Sequence, residues 1–477
     1  MMFERKRVAT VMLVLLTCAV MLLSACVPYK APDDRVLVDL ASKEDGDILP
    51  ESEYIAENEY MTINTIVSVS PTNVAVCGQL KEKAIAEGVD SVLVDNNVNL
   101  TVHEKCVGDY FIVSVDLPRD TGATFAATAM KGDEPVCEPL TFAAPYDATA
   151  EDRLDGNGVS VGSDSRLFFT KYLSDYLSEE LYTASQISDI KASVAATYRA
   201  YVERAKGERV ALIYVFLPDI TTMDPTILRD EDAAKKDPDL LTRYEQVVTA
   251  VGGTMANVVD MQTVLQAELD AGKDIYDLYR RTDSHPTEYA SFLMYQEVMK
   301  YVTALDTDVV PYTLDDFDLQ TVEVKGGDLV SYRELDPDIV TETITVLKPK
   351  FSYVDAVKSV KIYNDTINGD YSLNTQIVTT DNVVGGAERY EISTGRTELP
   401  NALIYRDENA IHASLMLASS FDRVLLGRAD QKAINRYAIS LTEATQFRDK
   451  AEGKPIADFI IVFVSESNLV DAFGTGS

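Results

Sequence analysis

ALIYRDENAIHASLMLASSFDRVLL, residues 402–426, packs three elements into one line of sequence. Ala402 to Tyr405 is an apolar run of strand length, Ala410 to Ser420 places apolar residues at helical spacing, and Arg423 to Leu426 is a second strand. The alternation continues with a helix over Ile439 to Lys450 and a strand over Ala457 to Ser465. Upstream, Val210 to Leu217 is a continuous apolar run with β-branched residues, as expected of a parallel strand covered on both faces. Before it, Gln186 to Lys206 sets Ile187, Ile190, Val194, Tyr198, Tyr201 and Val202 on one helical stripe, which Gly207 closes. Helices are also predicted over Leu240 to Val251, Thr263 to Ala271 and Thr287 to Leu305, the last beginning beside Pro286, where a missing N–H costs nothing. A short strand is predicted near Val258 to Met261. Strands and turns dominate from Tyr312 to Glu398, including a hairpin with arms Thr321 to Val324 and Leu329 to Tyr332 around Lys325 to Asp328. This order predicts a doubly wound α/β domain over residues 158–477, with its site at the carboxyl ends of the strands.

Residues 58–146 have a different texture. Thr62 to Ser70, Asn73 to Leu80, Ser91 to Val102, Tyr110 to Leu117, Ala123 to Met130 and Val136 to Phe142 are rich in Val, Thr and aromatics. Gly, Pro, Asp and Asn punctuate them at the spacing of a small all-β sandwich, immunoglobulin-like or fibronectin-like. The acidic loop Asp147 to Gly158 separates the two regions.

The start of the chain reads as an export signal. Basic residues lie between Glu4 and Arg7, the run Val8 to Leu23 is almost wholly apolar, and Leu23, Ser24, Ala25, Cys26 follow. The apolar run is short for a membrane span. Small residues before a cysteine resemble a lipobox, which implies removal of residues 1–25 and a palmitate-type lipid anchor on Cys26. Residues 26–57 are then an acidic tether. The expected location is extracytoplasmic, with the membrane as partner through that anchor.

Composition narrows the functions further. With 77 Asp and Glu against 43 Lys and Arg, the net charge of −34 opposes any general role on nucleic acid. Cys77, Cys106 and Cys137 fall in the β-rich segment, and their number announces no disulfide framework. No glycine-rich phosphate loop or paired-cysteine zinc pattern occurs, and no cofactor is implied. The chain has only three histidines, His103, His285 and His412. Of these, His285 follows Asp283 by two residues on a loop before a helix, a spacing at which a carboxylate can orient an imidazole as a general base.

Several separated segments together resemble one family. Val159 to Thr170, Val210 to Leu228, Tyr279 to Tyr295 and Leu399 to Leu426 are similar, in order and spacing, to the SGNH-hydrolase-like proteins typified by the alginate O-acetyltransferases AlgX and AlgJ and by the DHHW family. In active relatives an elbow serine attacks an acyl ester, the Asp-x-His histidine takes its proton, and the Asp orients the ring. By position the resemblance assigns Asp283 and His285 to the dyad. The elbow here reads Arg406, Asp407, Glu408, Asn409, so Glu408 stands where the family has its serine, and Pro286 stands where the family commonly has Trp. A carboxylate is already an anion and is not activated by losing a proton to imidazole. An ion pair between Glu408 and His285 is expected, and with it a silent site.

The alternative nucleophiles Ser414, Ser419 and Ser420 lie inside or beyond the helix. His412, one helical turn after Glu408, completes no recognised metal-ligand spacing, so no metal site is assigned. The resemblance implies a lipoprotein that binds or helps modify surface glycans, with cell-surface polysaccharide or acetylation machinery as partner. The competing expectations are an active carbohydrate O-acetyltransferase or esterase using His285 and Asp283, and a structural or protein-recruiting envelope component.

Overall fold

The computed structural model describes residues 56–96, 101–117, 121–147, 150, 158–205, 210–306, 308–350, 359–364, 367–373, 389–428 and 458–474, and these form one compact unit. The expected signal, Cys26, most of the expected tether, most of the acidic loop and the helix expected at Ile439 to Lys450 lie outside the described residues. No helix among the described residues is long and apolar enough to cross a membrane.

The first region is built of antiparallel strands. One sheet runs in the order β1 (Ala56–Glu57), β2 (Met61–Ser70), β3 (Asn73–Leu80), β6 (Tyr110–Asp116). The other joins β5 (Thr101–Lys105), β4 (Ser91–Asp95) and β7 (Ala123–Lys131), with β8 (Glu134–Pro135) and β9 (Leu140–Ala144) also on β7. Alternate residues pack between the sheets, among them Val74, Val76, Val92, Val94, Phe111, Phe125 and Phe142. The chain crosses from β3 to β4 and returns at β6, as in immunoglobulin-like sandwiches. The single strand expected over Ser91 to Val102 is two strands paired as a hairpin, Leu93 opposite His103, because the polar Asp95-Asn96 step ends the first arm. The strand expected over Val136 to Phe142 starts later, at Leu140. Cys77, Cys106 and Cys137 carry free thiols.

The second region begins with a small hairpin, β10 (Val159–Val161) and β11 (Leu167–Phe169), and is organised around an eight-stranded sheet. Its order is β13 (Asn257–Asp260), β12 (Ala211–Leu217), β21 (Phe459–Ser465), β19 (Ala402–Arg406), β20 (Arg423–Arg428), β18 (Arg389–Ser393), β16 (Ser359–Asn364), β17 (Ile367–Leu373). Strands β13 to β20 in that order are parallel, and the last three turn antiparallel. The period of two along each central strand sends alternate side chains to opposite faces. Ile213, Val215, Ile404, Ile461 and Phe463 pack with helices α3 (Met261–Asp270), α4 (Glu288–Leu305) and α6 (Ile411–Ala418), whose inward residues include Leu265, Met299 and Leu417. Tyr214, Phe216, Leu403, Val462 and Val464 face α1 (Ala184–Ala205) and α2 (Arg243–Gly252) through Val194, Tyr201, Tyr244 and Val247. Every residue of β12 and β21 is buried, which is why these runs carry no polar alternation. Each Val, Leu, Ile or Phe among them contributes roughly 1.5–3 kcal/mol by leaving water.

The hairpin expected at Thr321 to Tyr332 does not form. Strand β14 (Phe317–Lys325) pairs instead with β15 (Thr341–Pro349), Val322 opposite Ile344, and Asp328–Tyr332 is a short helix, α5. Gly326 and Gly327 read as a tight turn, but their missing side chains serve close approach: a Cβ on Gly326 would meet the Val340 carbonyl oxygen at 2.6 Å. Leu329 and Val330 leave the sheet pattern because they are buried with sandwich residues.

Candidate functional site

Asp283 and His285 sit on the loop that leads into α4. Its ends are drawn together by an antiparallel bridge between Tyr279 and Pro286 and by Thr287 N–H donating to Leu278 O at 2.9 Å, so the loop projects as a tight tongue. At its tip Asp283 Oδ1 accepts from the His285 backbone N–H at 3.0 Å and bonds ring Nδ1 at 2.6 Å. Its other oxygen accepts from Arg280 Nη1 at 3.1 Å. Engaging Nδ1 in this way leaves Nε2 as the nitrogen able to take a proton. Among the described residues no hydroxyl hydrogen-bonds the ring.

Charge around the pair is asymmetric. Burial works to raise the Asp283 carboxyl, but the hydrogen bond and charge of His285, followed by the Arg280 charge, outweigh it and hold the group down at about 2. Burial works to lower the His285 ring, but the hydrogen bond and charge of Asp283, then the charges of Asp328 and Glu408, prevail, and its pKa is raised. Asp328, the first residue of α5, is the neighbour the sequence did not announce. Its carboxylate accepts from Ser284 N–H at 2.7 Å and from Ser284 Oγ at 2.5 Å, and it lies 3.8 Å from His285 Nδ1. Burial, then the Asp283 charge, raises the Asp328 carboxyl.

A second acid grips the same tongue from β15. Glu342 accepts from Arg280 Nη2 at 2.5 Å, Arg281 N–H at 2.7 Å and Thr282 Oγ1 at 2.7 Å. The Thr282 hydroxyl oxygen in turn accepts from Gly327 N–H at 3.0 Å. Here the glycine is required by space: a Cβ on Gly327 would stand 2.5 Å from Asp283 Cβ. Gly327→Ala is therefore expected to cost about 1–3 kcal/mol through forced displacement of the packed carboxylate. Urea unfolding should show it as a lower midpoint with an unchanged slope.

The elbow lies at the carboxyl end of β19. Asp407 fixes it, with Oδ1 accepting from Asn409 N–H at 3.1 Å. Its Oδ2 accepts from Ser465 N–H and Ser465 Oγ, both at 2.6 Å, and from Asn468 Nδ2 at 3.2 Å. Glu408 is exposed and opens a single 3-10 turn before α6. No direct Glu408–His285 ion pair forms, and Glu408 bears on the ring only as a charge, behind those of Asp283 and Asp328.

The alternative serines are all buried, and each donates to a backbone carbonyl, Ser414 to Ala410 O at 2.6 Å, Ser419 to Met416 O at 2.7 Å and Ser420 to Met416 O at 3.2 Å. His412 lies within α6, and His103 pairs its Nε2 with Ser91 Oγ at 2.9 Å on the sandwich. Asp283, His285 and Asp328 each bring one nitrogen or oxygen within 4.8 Å of the others. Those atoms are already hydrogen-bonded within the protein, Nδ1 to Asp283 and Asp328 Oδ2 to Ser284.

Beside the tongue runs a narrow cleft bordered by Tyr172, Asp219, Tyr279, Asp283, Ser284 and Asn409. It opens at the strand ends, as expected for a doubly wound sheet. Asp219 follows β12 and Glu466 follows β21, and Asp219 N–H donates to Glu466 Oε2 at 2.9 Å. Burial, then the charge of Glu466, raises the Asp219 carboxyl well above its ordinary range, and burial raises that of Glu466 to about 7. Neither acid carried a sequence signal, since their meeting depends on β12 and β21 being neighbours.

A mostly parallel sheet layered by helices, with an Asp-x-His tongue at its carboxyl edge, fits the fold of an SGNH hydrolase-like α/β domain. Residues 159–346 match the family described as the SGNH hydrolase-like domain of the acetyltransferase AlgX. The match takes in Asp283 and His285 and ends before the elbow. Among solved structures, the chain is similar to Bacillus cereus PatB1 (14% identity, TM-score 0.45, covering 66% of this chain and 98% of that one). It is similar also to a DHHW family protein from Eubacterium siraeum (14%, TM-score 0.41, 62% and 89%). A third is the O-acetyltransferase domain of Pseudomonas putida AlgJ (12%, TM-score 0.35, 65% and 91%). No curated protein matches the sequence.

Proposed function

We propose that this chain is a cell-envelope lipoprotein, held at a membrane by lipid on Cys26, whose SGNH-like domain binds or helps modify surface glycans without itself turning over acyl esters. One observation carries the reading. The imidazole of His285 is oriented by Asp283 at 2.6 Å, yet no hydroxyl among the described residues bonds the ring, and the elbow after β19 presents Glu408. A general base with no alcohol to deprotonate cannot start acyl transfer by the serine route. The carboxylate of Glu408 adds a further negative charge that, after those of Asp283 and Asp328, raises the pKa of the ring. What remains is the narrow cleft beside the tongue, where Asp283, Ser284 and Asn409 bring polar side chains to the strand ends.

A chromogenic acetyl ester tests this directly. The whole chain is expected to hydrolyse it no faster than buffer, while binding acetylated polysaccharide in calorimetry. Clear turnover that disappears in His285→Ala would replace the reading with that of an active O-acetyltransferase or esterase.

A further inference from the structure

The sandwich and the Asp-x-His tongue meet at one short segment, residues 326–342. Helix α5 lies between them. Its first residue, Asp328, holds Ser284 through both carboxylate oxygens. Its apolar residues Leu329 and Val330 are buried in a cluster with Ala75 and Cys77 of β3 and Tyr110 and Ile112 of β6. Immediately after α5 comes Arg333, only 1% exposed. Its guanidinium donates from Nη1 to Val159 O at 2.7 Å and from Nη2 to Ser68 O at 3.2 Å, so one side chain ties the α/β region to the sandwich. No carboxylate pairs with it among the described residues, and burial pulls its pKa down to about 10. A buried cation held by two carbonyl oxygens, with only the unpaired charge of Glu334 nearby, is costly and adds little to stability that an apolar residue would not. Such a residue makes sense as a device that sets the position of what it joins.

We propose that the β-sandwich is a buttress for the Asp283–His285 pair: through Leu329, Val330 and Arg333 it fixes α5, and α5 holds Asp328 against Ser284 and the ring, making Asp328 a positioning residue. The inference rests on the reading of Asp283–His285 as the functional pair. The charged groups facing the ring are Asp283, backed by Arg280, from its own loop, Asp328 from α5 and Glu408 from the elbow. A shift of α5 acts most directly on the distance from the ring to Asp328.

The whole chain, labelled at the histidine ring carbon, gives three ring signals in a magnetic-resonance titration. In Asp328→Asn the His285 midpoint falls. It falls also in Arg333→Met, although Arg333 is not among the charges that bear on the ring, and Arg333→Lys moves it back toward the parent value. Val330→Ala, which opens a gap at the face α5 shows the sandwich, lowers it in the same direction and decides the matter should Arg333→Met not fold. An unmoved midpoint in Asp328→Asn, or in a folded Arg333→Met or Val330→Ala, overturns the buttress. Ester turnover by the parent chain would overturn the proposed function while leaving this result untouched.

Discussion

Glu408→Ser is expected to raise acetyl-ester turnover over the parent chain by ~10²-fold, the lower end of what a positioned general base supplies. The substitution is structurally cheap. Glu408 is exposed, and the elbow is held by its neighbour Asp407, whose oxygens bond Asn409, Ser465 and Asn468 and remain in place. It also deletes one of the negative charges that raise the His285 pKa, so the neutral ring is reached at lower pH. The pH dependence has a definite sign. Turnover needs the neutral ring, and Asp283 and Asp328 still raise the His285 pKa, so the rate should climb as pH rises through that elevated midpoint and level off above it. Loss of the gained rate in Glu408→Ser combined with His285→Ala is the control. A Glu408→Ser chain no faster than the parent would mean that the elbow and the ring do not address the same ligand.

Glu342→Ala should be the most damaging single change at the site, at roughly 1–3 kcal/mol for each buried donor left unsatisfied, because it removes the acceptor shared by Arg280, Arg281 N–H and Thr282 Oγ1. Glu342 is 4% exposed on its side chain and serves Arg280 at 2.5 Å, while its second oxygen serves Arg281 N–H. Truncation leaves the Arg280 guanidinium with Asp283 alone and leaves the backbone of the tongue without its acceptor. Glu342→Gln, which keeps an oxygen for the N–H donors and loses only the charge, should cost clearly less. Urea denaturation of the two variants checks the order. Equal losses would show that shape, not charge, matters at this position.

What could be read from the sequence was whatever is local along the chain. Strand β12 declares itself because both of its faces are buried, leaving eight successive positions of Val210 to Leu217 without a polar residue. Asp283 and His285 are legible because their bond spans two residues. Asp328 and Glu342 reach the same tongue across 44 and 60 residues, and nothing in their own surroundings marks them. Arg333 is still less legible, since an arginine amid acids and polar residues reads as surface, and only the seam between two regions buries it. The misread hairpin has the same origin: Lys325-Gly326-Gly327-Asp328 has turn composition, but the glycines answer to Val340 and Asp283, contacts invisible from composition.

Strand β21 follows every other described strand in the chain, yet it lies between β12 and β19. Until it arrives, β12 with β13 and β19 with β20 have no shared edge. A polypeptide emerging amino end first would hold two half-sheets apart, each with an apolar flank open to water, and would zip them together only when residues 459–465 slot in. Ser465 and Glu466 come with that strand, and with them the partners that Asp407 and Asp219 grip. The elbow and the floor of the cleft are therefore incomplete until the last described strand is in place.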